Sequence, residues 1–179
     1  MVSLSATLSS CVSDNRHLVE VSVPQQRMAV YREGVRIREY PVSTSKFGLG
    51  DDPGSNRTPL GEFRIARKIG DGAPAGAVFK SRRPTGEILP PDAPGRDPIV
   101  TRILWLRGQE PHNSNAYKRY IYIHGTPEER TIGTPASYGC VRMRSSDIIE
   151  LYEIVGRGAR VRIKNDPVSI PAASAPPGY

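Results

Sequence analysis

The chain has 179 residues, 37% of them hydrophobic, and a formal net charge of +7. That length suits one domain with its own core, and no apolar run approaches the roughly 20 residues of a membrane span. Seventeen glycines and 17 prolines argue against a helical bundle and for short strands joined by many turns. The arginines are scattered, and no nucleic-acid signature accompanies them.

Residues 1–16 read as a flexible leader without the basic start of a secretory signal. Within it, Leu8-Ser9-Ser10-Cys11 resembles a bacterial lipobox, and a lipidated Cys11 would tether the domain to a membrane. The simpler reading is an incidental thiol in a Ser-rich segment. The domain proper is expected over 17–165. His17 to Val23 reads as a strand. Arg27 to Ser43 reads as a hairpin turning at Glu33-Gly34, because period-two alternation flanks that dipeptide.

Phe47 to Pro59 is a Gly/Asp/Pro/Ser loop. Its Gly48-Leu49-Gly50 does not extend into a dinucleotide-binding pattern. Glu62 to Ile69 is a strand. Gly70 to Pro98 is long and rich in Gly and Pro, with one short strand at Val78 to Arg82, and loops of this length often cover or bind ligands. Ile99 to Leu106 and Arg119 to His124 carry the strongest strand patterns. In the second, Ile121 and Ile123 share one face, and Tyr120, Tyr122 and His124 share the other. Tyr120 and Tyr122 on that face read chiefly as sheet packing.

Thr126 to Val141 reads as a loop. Asp147-x-x-Glu150 looks like a capping box with Asp147 as the cap, opening a helix that Gly156 and Gly158 stop. Ala159 to Lys164 is a last strand, and 166–179 is a Pro/Ala/Ser-rich tail expected to be disordered. The expected fold is mainly β, a mixed β-sandwich or open barrel with one helix following Cys140. Two distant cysteines make neither a disulfide framework nor a zinc set. No metal and no cofactor are expected.

The chemistry concentrates in two short segments, Ile123-His124-Gly125-Thr126 and Ser137-Tyr138-Gly139-Cys140-Val141-Arg142. A lone histidine is usually structural, and a lone cysteine is usually a small buried hydrophobe. Here His124 ends a strong strand, and Cys140 follows a turn glycine ahead of a helix whose positive end favours a thiolate. His112, in a polar loop, is assigned no role.

These segments resemble the L,D-transpeptidase (YkuD-like) family. That family carries a His-Gly pair, then a loop, then Ser-His-Gly-Cys followed by an apolar residue and Arg or Asn. Its earlier Thr-Pro-x-Gly-x-Phe element is matched by Thr58-Pro59-Leu60-Gly61-Glu62-Phe63. Ser43-Thr44-Ser45-Lys46-Phe47-Gly48 is also family-like. The resemblance runs from about His17 to Lys164. One position departs: Tyr138 stands where the family usually has a second histidine, which bears on the acceptor preference and efficiency.

The resemblance implies an envelope enzyme acting on peptidoglycan stem peptides. Cys140 is the implied nucleophile and His124 the general base. A backbone carbonyl near Gly125 is implied as the group that orients the imidazole. Cys140 would attack the diaminopimelate carbonyl of a tetrapeptide stem, release D-alanine, and pass the acyl group to an amine. A thiolate–imidazolium pair would be the reactive form. Backbone N–H groups at Tyr138, Gly139 and Cys140 are candidate oxyanion donors. Arg142 would hold a substrate carboxylate in its fork, and Ser137 and Thr126 would hydrogen-bond the loop or the substrate. Water in place of the amine would make the chain an L,D-carboxypeptidase. Loss of the chemistry altogether would make it a non-catalytic wall-binding module.

Overall fold

A computed structural model describes residues 13–168. Cys11 and its flanking motif, and the tail from 169 onward, lie outside the described residues. The fold is mainly β, with one mixed sheet and, among the described residues, a single α-helix. The strands are β1 (His17–Ser22), β2 (Arg27–Arg32), β3 (Val35–Pro41), β4 (Gly61–Ile69), β5 (Ala77–Lys80), β6 (Arg83–Ile88), β7 (Ile99–Gly108), β8 (Tyr122–Gly125), β9 (Val141–Met143) and β10 (Arg160–Lys164). The helix α1 spans Ser145–Ile154.

Along the sheet the order is β3-β2-β1-β10-β4-β7-β5-β6, with β8 pairing β7 on one edge and β9 on the other. The pairs β1–β10 and β8–β9 are parallel, and the remaining pairs are antiparallel. The hairpin β2–β3 turns at Glu33-Gly34, as the alternation predicted. Both residues have positive φ, 52° and 83°, which matches the primed turn that two-residue hairpins favour.

The expected strand over Arg119 to His124 is shorter than its pattern suggested. Tyr120 has φ 59°, its N–H bonds the Tyr117 carbonyl, and the strand begins only at Tyr122. The face assignment nonetheless holds for the buried members. Ile121 and Ile123 enter the main core with Leu104, Leu106, Ile148 and Leu151. Tyr122 enters a second cluster with Ile103, Trp105, Phe79 and Ala77. Strands β7 and β8 are therefore buried on both faces, which explains the near-continuous apolar run of β7.

The long Gly/Pro segment holds two strands, where the sequence suggested one. Strands β5 and β6 form a hairpin whose turn residues Ser81 and Arg82 both have positive φ, 49° and 65°. That turn lacks the usual Gly or Asn, so its signal was hidden. Strand β9 begins at Val141, the last residue of the expected loop, and its three residues carry no recognisable period.

Helix α1 starts at Ser145, and Asp147 lies in its first turn. The Asp147 cap is corrected: the flanking residue is Arg144, which makes no side-chain cap bond. The Ser145 N–H instead donates to the Glu129 carboxylate at 2.8 Å. A distant side chain thus meets a need that sequence analysis assigns to a neighbour.

The described ends are tied to the domain. The Asp14 carboxylate accepts from the N–H groups of Gly156 (2.7 Å) and Arg16 (3.1 Å) and from the His17 ring (2.8 Å). Val168 packs against Ala29 and Tyr31. Burial pushes the Asp14 carboxyl upward, but these donors outweigh it and hold it below its ordinary value. Asp14→Ala is expected to lower the unfolding free energy by about 1–3 kcal/mol, since it orphans partly buried donors. Because the folded value is depressed, this stabilisation is present above the unfolded carboxylate value and fades as pH falls through the folded one. Urea titrations at pH 7 and pH 3 should show the wild-type advantage shrink at the lower pH.

Candidate active site

Strands β8 and β9 run parallel in register, with Ile123 opposite Val141, His124 opposite Arg142 and Gly125 opposite Met143. Residues paired in a parallel ladder point to the same face, and alternate residues share it. His124 and Arg142 therefore project together. Cys140, immediately before β9, continues the same face beside Tyr122, whose N–H reaches the sulfur at 3.4 Å. Cys140, His124 and Arg142 line one cavity of about 480 Å³, together with Lys46, Asp97 and Tyr138.

The imidazole is fixed from behind. His124 Nδ1 lies 2.8 Å from the Gly125 carbonyl oxygen. A carbonyl can only accept, so Nδ1 carries the proton and Nε2 is the free basic nitrogen. Gly125 has a separate reason to be glycine: an added Cβ would meet the Val100 carbonyl at 2.7 Å. Strand β7 bulges at this point, where the register slips between Val100 and Ile103. Thr101 sits in the bulge with φ 71°, a conformation that β-branched residues rarely adopt. Its Oγ1 accepts from the Gly76 N–H (2.9 Å) and shares a hydrogen with Ser145 Oγ (2.8 Å). Bulges often re-aim side chains beside sites, and this one adjoins His124.

The Cys140 loop is braced from several elements. Ser137 Oγ donates to the Cys140 carbonyl (2.6 Å) and accepts from the Gly139 N–H (3.2 Å). Ser137 thus braces the loop, and the Gly139 N–H is spent inside it. Of the three candidate oxyanion donors, the N–H groups of Tyr138 and Cys140 remain. Gly139 adopts φ +118°, and a Cβ there would press on the Arg57 carbonyl at 3.2 Å. Thr58 Oγ1 donates to the Gly139 carbonyl (3.0 Å) and accepts from the Ser45 N–H (3.0 Å). The Thr58-Pro59 element and the Ser43–Gly48 segment therefore support the cysteine loop directly.

Arg142 is buried, and its Nη2 lies 2.6 Å from Asp97 Oδ2. Thr126 Oγ1 donates to the other Asp97 oxygen at 2.5 Å. The Arg142 guanidinium, expected to hold a substrate carboxylate, lines the cavity and meets Asp97 through Nη2. Thr126 serves that pair. Sequence reasoning missed Asp97. Its only signal was its place in the long Gly/Pro segment expected to contribute a ligand-facing loop.

Electrostatically, burial disfavours charge on both His124 and Cys140. Burial lowers the His124 pKa, and the nearby Arg142 charge lowers it further against the pull of the Gly125 carbonyl. Burial raises the Cys140 thiol to about 11, opposed by the Tyr122 N–H and the Arg142 charge. The sulfur donates to the Tyr120 carbonyl at 3.4 Å. Burial thus works against the charges of the expected thiolate–imidazolium pair. Strand β9 also separates Cys140 from the start of α1, so the helix dipole, which fades within a turn, does not set the sulfur's charge.

Residues 16–163 match the family model described as the L,D-transpeptidase catalytic domain, YkuD. The chain belongs to this family. The Bacillus licheniformis protein named YkuD is 27% identical over 146 residues, covering 81% of this chain and 64% of its own length. The Escherichia coli protein named "Probable L,D-transpeptidase YbiS" is 30% identical over 163 residues, covering 89% of this chain and 48% of its own length. The chain thus spans about half to two thirds of these relatives. Among solved structures, L,D-transpeptidase 3 from Mycobacterium tuberculosis, in complex with a faropenem-derived adduct, superimposes with a TM-score of 0.54 at 17% identity. The match covers 83% of this chain and 60% of that one, and it supports the fold. Among the described residues no helix is long and apolar enough to cross a membrane.

Proposed function

We propose that this domain is a cysteine-dependent L,D-transpeptidase of peptidoglycan, working in the cell envelope, with Cys140 as nucleophile and His124 as general base. The observation that carries the reading is the in-register β8–β9 pairing, which sets Cys140 and the free Nε2 of His124 on one face of one cavity. The mechanism starts from a neutral thiol and a neutral imidazole, the forms that burial favours. As the sulfur attacks the diaminopimelate carbonyl, its proton passes to His124 Nε2, so charge separation develops only with substrate present. The Nδ1–H bond to Gly125 steadies the imidazolium that forms. The Tyr138 and Cys140 N–H groups receive the oxyanion. Collapse of the tetrahedral intermediate expels D-alanine, whose amine takes the proton from His124, and leaves a thioester at Cys140. An incoming amine, deprotonated by His124, then resolves the thioester. Burial, helped by the Arg142 charge, works against protonation of His124 beforehand.

The domain bounds of 17–165, with a leader before and a tail after, belong to the same proposal, as does a membrane tether through a lipidated Cys11. Incubation with a tetrapeptide-stem muropeptide and mass spectrometry of the products tests the reading. Crosslinked dimers with free D-alanine are expected. Tripeptide alone would make water the acceptor and the domain an L,D-carboxypeptidase. No product and no D-alanine would leave a wall-binding module.

A further inference from the structure

The substitution of Tyr138 for the usual family histidine coincides with a second feature at the cavity mouth. Ser45 and Ser137 form a parallel bridge, and the Lys46 N–H donates to the Ser137 carbonyl at 3.1 Å. This pairing sets Lys46 beside Tyr138. The Lys46 ammonium donates to the Tyr138 hydroxyl at 3.0 Å. It also sits 4.4 Å from the centre of the Tyr138 ring and 5.3 Å from that of Phe47. The two rings are 58% and 45% exposed, and their centroids are 5.4 Å apart.

The charges facing the cavity are Lys46, Arg142, Asp97 and Glu128. Asp97 neutralises Arg142, and Glu128 lies 3.8 Å from Arg130. Among the described residues, no carboxylate pairs with Lys46. The cavity therefore offers one cation lacking a counter-ion, held in place by two aromatic faces. Because the Tyr138 oxygen accepts from Lys46, its own proton is free to be donated. An ammonium and a phenol side by side in the cavity lining suit a carboxylate.

Resting on the transpeptidase reading, we propose that Lys46 and Tyr138 form a clamp for the free C-terminal carboxylate of the donor stem peptide. That carboxylate belongs to the leaving D-alanine, one residue beyond the carbonyl that Cys140 attacks, and Tyr138 is two residues before Cys140. The diaminopimelate side-chain carboxylate lies farther along the substrate, at the end of a flexible chain. A clamp at this place makes the enzyme measure one residue past the bond it breaks. It accepts a tetrapeptide stem and disfavours a stem extended or amidated at that end.

Binding to the Cys140→Ala variant tests the clamp without requiring turnover. Calorimetry compares the tetrapeptide, its C-terminal carboxamide, and a peptide amidated only on the diaminopimelate side chain. The C-terminal carboxamide is expected to bind roughly 10- to 100-fold more weakly than the free acid, the usual worth of a hydrogen bond to a charged group. Adding Lys46→Met should erase that difference by weakening the free acid alone, and Tyr138→Phe should erase part of it. Side-chain amidation should leave the Lys46 effect unchanged. The clamp is overturned if Lys46→Met weakens acid and carboxamide equally, if only side-chain amidation abolishes the Lys46 effect, or if none of the peptides binds. Failure of the cysteine chemistry itself shows separately, as an absent covalent adduct on the wild-type protein.

Discussion

Cys140→Ala is expected to abolish both turnover of stem peptides and the acyl adduct that a carbapenem leaves on the wild-type protein. The chemistry allows no partial outcome, because an alanine side chain has no atom that can form the thioester. Mass spectrometry of intact protein after incubation with the carbapenem reads the result directly. The adduct should appear on wild type and on Cys11→Ala, and be missing from Cys140→Ala. A Cys140→Ala protein that still releases D-alanine would sink the mechanism. The resting state adds a further expectation. With the thiol pushed up to about 11, the thiolate fraction at pH 7 is roughly one in ten thousand, against a few per cent for a free cysteine. A simple alkylating agent should therefore label Cys140 slowly at pH 7. The rate should rise about tenfold per pH unit as the thiolate fraction grows. A carbapenem that docks against His124 and the oxyanion donors should react at neutral pH regardless.

His124→Ala is expected to lower kcat/KM by about 10²–10⁴-fold, the usual range for a lost general base. Alanine at this position removes Nε2 and leaves the Cys140 proton with no acceptor as attack begins. The pH profile gives the more specific readout. His124 must be neutral to accept a proton, so activity falls as pH drops through its pKa. Burial and Arg142 lower that pKa, so the acidic limb should lie below the ordinary imidazole range of about 6.5. His124→Ala should lose this limb along with the rate. A rate change of less than about threefold, or a limb that persists in the variant, would make His124 a structural residue.

Much of this molecule is legible in its residues. Local strand patterns located β1, the β2–β3 hairpin, β4, β7 and β10 to within a residue or two, because alternation or a short apolar run bounded by turn residues is read without knowing what lies across from it. Three ordered motifs, Thr58-Pro59-Leu60-Gly61-Glu62-Phe63, His124-Gly125 and Ser137-Tyr138-Gly139-Cys140, point to the family without any structure. Each requires particular residue types at fixed spacing, and that is local information. Strand β9 and the hairpin β5–β6 escaped because three residues hold no period and a primed turn built from Ser81 and Arg82 carries no glycine.

What the tertiary structure decided is everything that depends on partners distant in the chain. Asp97 is separated from Arg142 by 45 positions, and nothing near either residue announces the ion pair between them. Glu129 satisfies the first turn of α1, a task the local pattern gave to Asp147. Thr58 reaches the Gly139 carbonyl across 81 positions and so turns a sequence motif into a brace for the cysteine loop. The protonation of Cys140 and His124 belongs to the same class. An ionisable group's pKa is set by how much water surrounds it and which charges face it, and both follow from packing. A cysteine and a histidine can be read from a sequence; that burial in one cavity works against charge on both is a property of the fold.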